Sequence, residues 1–168
     1  MNTPPAPSAY ELLCRAAYDG DLAEVNRLVS LCDSTCLWDH PLALAEAARN
    51  NQKTVVEMLL SVSDPKAGNS LALRSAAHWG HAAVVELLIP VSDARAVDSE
   101  ALRMSAEYGH TECVKLLIPV SDPKANDSEA LRYAAEYGHT ECVKLLMSVC
   151  DPKTKNSLPL RVATHSGY

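Results

Sequence analysis

The chain has no phenylalanine, and aromatic residues make up only 5% of its 168 residues. Aliphatic and small side chains must therefore fill any core, so that many modest contacts supply its stability. The sequence also lacks an apolar run long enough to span a membrane and the basic and apolar regions of a signal peptide. We expect a cytoplasmic location, in the producing cell or, if another signal exports the protein, in a host cell.

Positive charge is in short supply as well. The 21 acidic residues outnumber the 15 basic ones, which leaves a formal net charge of −6. That sign is wrong for binding a phosphate backbone across a broad surface. We therefore expect no nucleic-acid partner and, because no segment is long enough to span a membrane, no membrane partner.

What the sequence does contain is an internal repeat. The segment AEYGHTECVKLL occupies residues 106–117 and returns, unchanged, at residues 135–146. A shift of twenty-nine residues aligns further identical columns, whereas the first copy aligns at thirty-one because it carries two extra residues. The spacing predicts a flexible tail over residues 1–9 and one solenoid domain over 10–168, with repeats at about 10–40, 41–69, 70–98, 99–127 and 128–156 and a half repeat at 157–168.

Each repeat is predicted to form two short helices, because two apolar stripes with helical spacing flank a Gly-His pair. In the fourth repeat, Asp98 or Ser99 can cap a helix that begins near Glu100, and Thr111 can cap the second helix. No segment alternates as a strand would. The fold class is therefore all-α, and the small helix pairs must stack on one another to bury their apolar faces.

The pattern Ala-Leu-Arg-x-x-Ala-x-x-Gly-His-x-x-x-Val-x-Leu-Leu resembles the ankyrin repeat over roughly residues 10–168. The resemblance implies that His81, His110 and His139 tie down the turn between the two helices by hydrogen bonds. The family's usual period is about thirty-three residues, so four are missing here. They are missing from the loop that carries the family's β-hairpin finger, so we expect these fingers to be shortened or absent.

Catalytic and metal chemistry have little support in the sequence. Cys113 and Cys142 share a column with valines and are predicted to be small core residues. Cys32, Cys36 and His40 offer three zinc ligands, but the pair-of-pairs spacing of a structural zinc site is missing. Because no nucleophile, base and orienting acid converge, we predict a non-enzyme with no cofactor and no metal.

One column consists of arginines and allows two interpretations. Its members follow an aspartate column by ten positions, so Arg–Asp pairs can run along the stack and stiffen its loops. Alternatively, the arginines form a row that faces an acidic partner. Arg103→Glu separates the two, since it lowers the melting temperature in the first case and only binding in the second. The arginines are Arg74, Arg103, Arg132 and Arg161, and the aspartates are Asp64, Asp93, Asp122 and Asp151.

Binding residues of a solenoid are expected in the columns that vary between repeats, because packing determines the others. Two variable columns lie on the first helix, on the side that faces the concave groove in ankyrin-like arrays. They predict an aromatic strip of Trp79, Met104, Tyr108, Tyr133 and Tyr137, which is typical of interface anchors. In the alternative, Tyr108 and Tyr137 only cover the adjacent helix turn. The complete predicted site is Ser75, His78, Trp79, Met104, Glu107, Tyr108, Tyr133, Glu136 and Tyr137.

Two functional classes follow from this pattern. The first is a monomeric, non-catalytic module that binds a protein on its concave face, as an inhibitor, an immunity factor or an effector. The second is a structural or assembly element, or a fragment of a longer solenoid, because residues 158–168 supply a first helix and stop where the next turn is due. Apolar residues of that helix, including Leu158 and Leu160, would then need a cover. The size of the protein in solution discriminates between the two classes.

Overall fold

The computed structural model describes residues 7–31 and 41–150, and within these ranges every regular element is an α-helix. The all-α fold is therefore confirmed. The half repeat 157–168 and the Cys32, Cys36 and His40 group lie outside the described residues. The helices are α1 Ala9–Asp19, α2 Leu22–Val29, α3 Leu42–Arg49, α4 Lys53–Leu59, α5 Ala67–His78, α6 Ala82–Leu88, α7 Ala96–Glu107, α8 Thr111–Leu117, α9 Ala125–Glu136 and α10 Thr140–Met147.

The helices form two layers, with the odd-numbered helices in one and the even-numbered helices in the other. Small buried residues, such as Ala76, Ala77 and Ser105, let neighbouring odd helices approach more closely than neighbouring even helices do. The layer with the closer helices is the inner side of a curved stack, so the odd helices line the concave face. Between the layers runs a core of fully buried leucines: Leu13, Leu28, Leu44, Leu59, Leu73, Leu88, Leu102, Leu117, Leu131 and Leu146.

A histidine at the start of each even helix from α6 onward ties its repeat to the preceding one. Nε2 of His81 donates to the carbonyl of Arg49 at 2.8 Å, and Nε2 of His110 donates to that of His78 at 2.9 Å. His139 makes the same contact, at 2.9 Å, with the carbonyl of residue 107. The predicted role of these histidines is confirmed. The bond crosses between repeats, so it also sets the distance between neighbouring turns.

The histidine ring occupies the space that a side chain would need at the turn glycine of the preceding repeat. Gly80 and Gly109 have left-handed φ values of +75° and +73°. A Cβ atom at Gly80 would lie 2.4 Å from Nδ1 of His110, and one at Gly109 would lie 2.5 Å from Nδ1 of His139. Glycine is therefore required at these turns both for its backbone conformation and for the ring behind it.

The loop that carries the β-hairpin finger in the ankyrin family forms a left-handed turn in this chain. No strand is present in residues 41–150. Three successive residues have positive φ at each of three junctions between repeats, at 68–70, 97–99 and 126–128. At the junction of the third and fourth repeats these are Val97, Asp98 and Ser99, with φ of 51°, 54° and 61°. The right-handed part of α7 consequently begins near Glu100, as predicted.

The predicted capping residues do not cap their own helices. Ser99 Oγ instead accepts a hydrogen bond of 2.8 Å from the backbone N–H of Asp122, one repeat later. The left-handed turn accounts for this, because it points the serine at the next loop. Thr111 is the first residue of α8, and His110 holds the cap position without a side-chain cap bond. Both capping predictions were wrong.

Burial of two cysteines agrees with the prediction that they are core residues. Cys113 is 1% exposed and Cys142 is fully buried. Burial raises the pKa of Cys113 to about 11, so this thiol stays protonated at neutral pH. Within residues 7–31 and 41–150, no three histidine, cysteine, aspartate or glutamate side chains group as metal ligands. In the same ranges, no helix is long and apolar enough to cross a membrane.

Candidate functional site

Three aromatic side chains project from the same position of three successive repeats. Trp79, Tyr108 and Tyr137 each follow the last residue of an odd helix, immediately before the turn glycine. They are 50%, 48% and 55% exposed, respectively. The helix ends at these residues and the chain turns away after them, so the rings remain open to solvent. The structure therefore brings three members of the predicted aromatic strip into one row.

His78 fills the gap between the first two rings of this row. Its ring centroid lies 5.2 Å from that of Trp79 and 4.5 Å from that of Tyr108. Its backbone carbonyl meanwhile accepts the bond from His110, whose ring lies 6.3 Å from that of Tyr108. The predicted site residue His78 thus joins the first two rings into one surface.

A cavity of about 350 Å³ adjoins Trp79 on the inner face of the odd helices. Ser75 and Met104, both predicted site residues, are half-buried in its lining. A smaller cavity of about 140 Å³ lies on the other side of Trp79, where the Arg49 guanidinium is 5.3 Å from the ring centre. The lining of the larger cavity is Arg49, Leu71, Arg74, Ser75, His78, Trp79, Glu100 and Met104.

The gap between the second and third rings is open. It holds a cavity of about 370 Å³ lined by Glu107, Tyr108, Tyr137 and His139. Burial, and next the negative charges of Glu136 and Glu107, raise the pKa of Tyr137. Glu136 itself is exposed beside the cavity's Tyr137. This end of the groove combines aromatic faces with negative charge.

Tyr133 differs from the three exposed rings, because two arginines hold it. The guanidinium carbon of Arg132 lies 4.5 Å from its ring centre, and that of Arg103 lies 5.8 Å from it. The ring of Tyr137 stacks on Tyr133 at 6.3 Å. Tyr133 is therefore half-buried, and it packs against the exposed row through Tyr137.

The arginine column forms a ladder with glutamates of the odd helices. Arg74 pairs with Glu100, while Arg103 lies 3.2 Å from Glu100 and 3.6 Å from both Glu107 and Glu129. A further pair, 2.7 Å apart, joins Arg132 to Glu129. All these side chains are between 15% and 35% exposed. The ladder uses the guanidinium groups for contacts within the chain, which favours the structural interpretation of the column.

The predicted Arg–Asp pairs were wrong. The carboxylates of the aspartate column instead close their own loops, as Asp93 Oδ1 does by accepting the backbone N–H of Arg95 at 2.9 Å. Asp64 and Asp122 make the equivalent bonds. Arg103 and Arg132 pair instead with a glutamate three residues earlier on the same helix. Arg74 pairs with Glu100 of the next repeat and also donates to the loop carbonyls of Gly68 and Asn69. Arg161 is outside the described residues.

Sequence reasoning missed two residues of the groove, Tyr18 and Arg49. Tyr18 is 47% exposed and lines the smaller cavity together with Arg49. Both occupy the column of His78, two and one repeats earlier, so a comparison of that column would have found them. They extend the surface toward the start of the chain.

Comparison with known protein families gives a match over most of the chain. A family model described as "Ankyrin repeats (3 copies)" matches residues 13–98 and 91–156. No curated protein matches the sequence.

Proposed function

Because the chain belongs to the ankyrin repeat family, whose repeats are generally protein–protein interaction modules, we propose that it binds a protein partner in its concave groove. The predicted binding residues are those of the aromatic strip and its flanks. The family is typically non-catalytic, and we extend this to the present chain. We further propose a role as inhibitor, immunity factor or effector, since each of these roles requires the binding of one partner protein, which a single groove can provide.

The observation that carries the proposal is the row of exposed rings. Trp79, Tyr108 and Tyr137 are each about half exposed. Large aromatic side chains with cavities beside them are the usual anchors of protein interfaces, where a few residues supply most of the binding energy. Their alignment over three repeats gives a partner a continuous surface.

The proposed setting is a monomer in the cytoplasm. Among the described residues, Cys113, Cys142 and Cys150 form no disulfide, in keeping with a reducing compartment. A monomer leaves the groove open for a different protein. Size-exclusion chromatography with light scattering checks this, since end-to-end association would instead favour the assembly function.

The test of binding is a comparison of captured proteins. The wild type and a Trp79→Ala, Tyr108→Ala, Tyr137→Ala variant are used as bait in lysate from the producing cells, and mass spectrometry identifies what they retain. We expect a specific partner with the wild type and at least a tenfold loss with the variant, because interface anchors commonly contribute about 2 kcal/mol or more each.

A control variant removes equally exposed apolar residues from other surfaces. Val91, Val97 and Met147 are 38%, 49% and 45% exposed, and all three are changed to serine. The control should retain the partner. If it loses the partner while the groove variant keeps it, binding does not use the concave face.

A further inference from the structure

The two gaps between the exposed rings differ in one residue. His78 fills the gap between Trp79 and Tyr108. The equivalent residue in the next repeat is Glu107, and there the gap between Tyr108 and Tyr137 is an open cavity of about 370 Å³. The open gap therefore has the carboxylate of Glu107 at the position where the filled gap has the ring of His78. We call this second gap, formed by Glu107, Tyr108, Tyr137 and His139, the acidic notch.

The size of the acidic notch suits a flat group between two rings. Tyr108 and Tyr137 belong to neighbouring helices, and packed helices are about 8–10 Å apart. A planar group in contact with a ring on each side needs about 7–8 Å, that is, two contacts of about 3.5–4 Å. A planar guanidinium group meets this requirement.

The charges around the notch select a cation. Glu136 is exposed, and no ion pair to it occurs in the described part of the chain. Glu107 is 20% exposed and meets Arg103 through one oxygen, at 3.6 Å. A carboxylate accepts about four hydrogen bonds, so Glu107 retains free acceptor positions. The two tyrosine faces add the negative electrostatic potential that attracts cations.

Elsewhere the chain satisfies the same kind of site with its own arginines. The Arg49 guanidinium lies 5.3 Å from the ring centre of Trp79, and that of Arg132 lies 4.5 Å from Tyr133. Among the described residues, no arginine or lysine stacks on Tyr108 or Tyr137. The notch therefore has the components of an arginine site without an arginine of this chain in it.

We propose that the acidic notch receives an arginine side chain of the protein partner, with the guanidinium between Tyr108 and Tyr137 and paired to Glu107. This inference rests on the proposed function, because it names the chemistry of the bound segment. Arginine fits better than lysine, since its guanidinium is planar and presents five donors that match a carboxylate.

The test uses a short probe of the assigned chemistry. The capped peptide Gly-Gly-Arg-Gly-Gly is titrated into ¹⁵N-labelled protein, and its counterpart with citrulline, which has nearly the same shape but no charge, serves as the reference. We expect shifts of the backbone amides near Glu107, Tyr108 and Tyr137, with a dissociation constant at least about tenfold weaker for citrulline.

Two variants locate the response. Glu107→His copies the residue that fills the neighbouring gap and should abolish the arginine response while the remaining spectrum reports an intact fold. Val91→Ser changes an exposed loop residue outside the groove and should leave the response unchanged. Any of three results would overturn the proposal. Both peptides could cause equal shifts, or the arginine response could survive Glu107→His. The arginine peptide could also cause no shift at about 10 mM, which is ten times the dissociation constant of a millimolar site.

This experiment separates the notch from the groove as a whole. If the peptide does not bind but the natural partner is still lost on changing Trp79, Tyr108 and Tyr137, the notch proposal fails and the proposed function stands. If the peptide binds and the partner survives that triple change, the notch binds arginine but the proposed function fails, and with it the assignment of that arginine to the partner.

Discussion

The contact between a turn glycine and the histidine of the next repeat predicts a large difference between two chemically identical substitutions. Gly109 and Gly138 have nearly the same left-handed φ, +73° and +75°. Behind Gly109 stands the ring of His139, with Nδ1 2.5 Å from the position of a Cβ atom. Around Gly138, no atom of the described residues lies within 4 Å of that position. Gly138→Ala is therefore the matched control for Gly109→Ala.

The expected magnitudes follow from these distances. Left-handed backbone costs alanine about 1–2 kcal/mol, and the loss of glycine's freedom in the unfolded chain returns about 0.4–1 kcal/mol. Gly138→Ala should thus reduce the free energy of unfolding by about 1 kcal/mol. Gly109→Ala must in addition displace the His139 ring and its 2.9 Å bond to the carbonyl of Glu107, which we expect to add about 1–3 kcal/mol.

Urea denaturation followed by circular dichroism measures both values, and the fluorescence of the two tryptophans, Trp38 and Trp79, provides a second probe of cooperativity. A double-mutant cycle with His139→Ala isolates the contact, because removal of the ring should relieve the added cost of Gly109→Ala by at least about 1 kcal/mol. If the two alanine variants are equally stable, or if the cycle shows no coupling, the ring does not occupy the space that the structure assigns to it.

Three further predictions concern the ladder, the left-handed turns and the turn histidines. Arg103→Glu places a carboxylate among three glutamates and should cost about 2–4 kcal/mol in urea denaturation, whereas Arg15→Glu, at a side chain 82% exposed, should change stability by less than about 0.5 kcal/mol. Val97→Asn, which copies Asn126 of the next repeat, should raise the free energy of unfolding by about 0.5–1 kcal/mol, because asparagine tolerates positive φ better than a β-branched residue. Burial lowers the pKa of His110 below its ordinary 6.5, so acidification below that value protonates the unfolded chain first and reduces stability until the folded-state pKa is reached. The non-titrating His110→Gln, measured over the same pH series, should show a shallower loss.

Each of these has an outcome that contradicts it. Equal stabilities of the Arg103 and Arg15 variants would mean that the ladder contributes no more than an exposed ion pair. A less stable Val97→Asn would show that the valine side chain contributes more by its contacts than it costs in backbone strain. The same pH dependence in wild type and His110→Gln would assign the acid sensitivity to other groups.

The helical repeat could be predicted from the sequence because its signals are local and recur in register. The leucine columns, the alanines of the first helices and the Gly-His turns each specify one short element, and stacking follows from their periodicity. The left-handed turns at 97–99 could not be predicted in this way. Valine and serine disfavour positive φ, so local preference does not predict it, whereas the folded chain holds Ser99 in this conformation by a hydrogen bond to the next repeat.

The groove shows a similar division. Trp79, Tyr108 and Tyr137 lie in a column that varies while the neighbouring columns repeat, and that variation identified them. The residues that each ring contacts within the chain depend on distances between repeats, which a single sequence does not give. For the same reason the arginines were assigned to aspartates ten positions earlier, although glutamates on the same and the neighbouring helix lie closer in space. Whether the predicted site binds a partner remains a prediction.

The central claim is that a protein partner contacts the concave row of rings, and photo-crosslinking tests it most directly. A benzoylphenylalanine in place of Tyr108 is irradiated in the producing cells, with the same substitution at Val91 in a loop as the control. A discrete crosslinked adduct is expected from position 108 and none from position 91. An adduct from position 91 alone would place the interface on the loops and rule out the concave face.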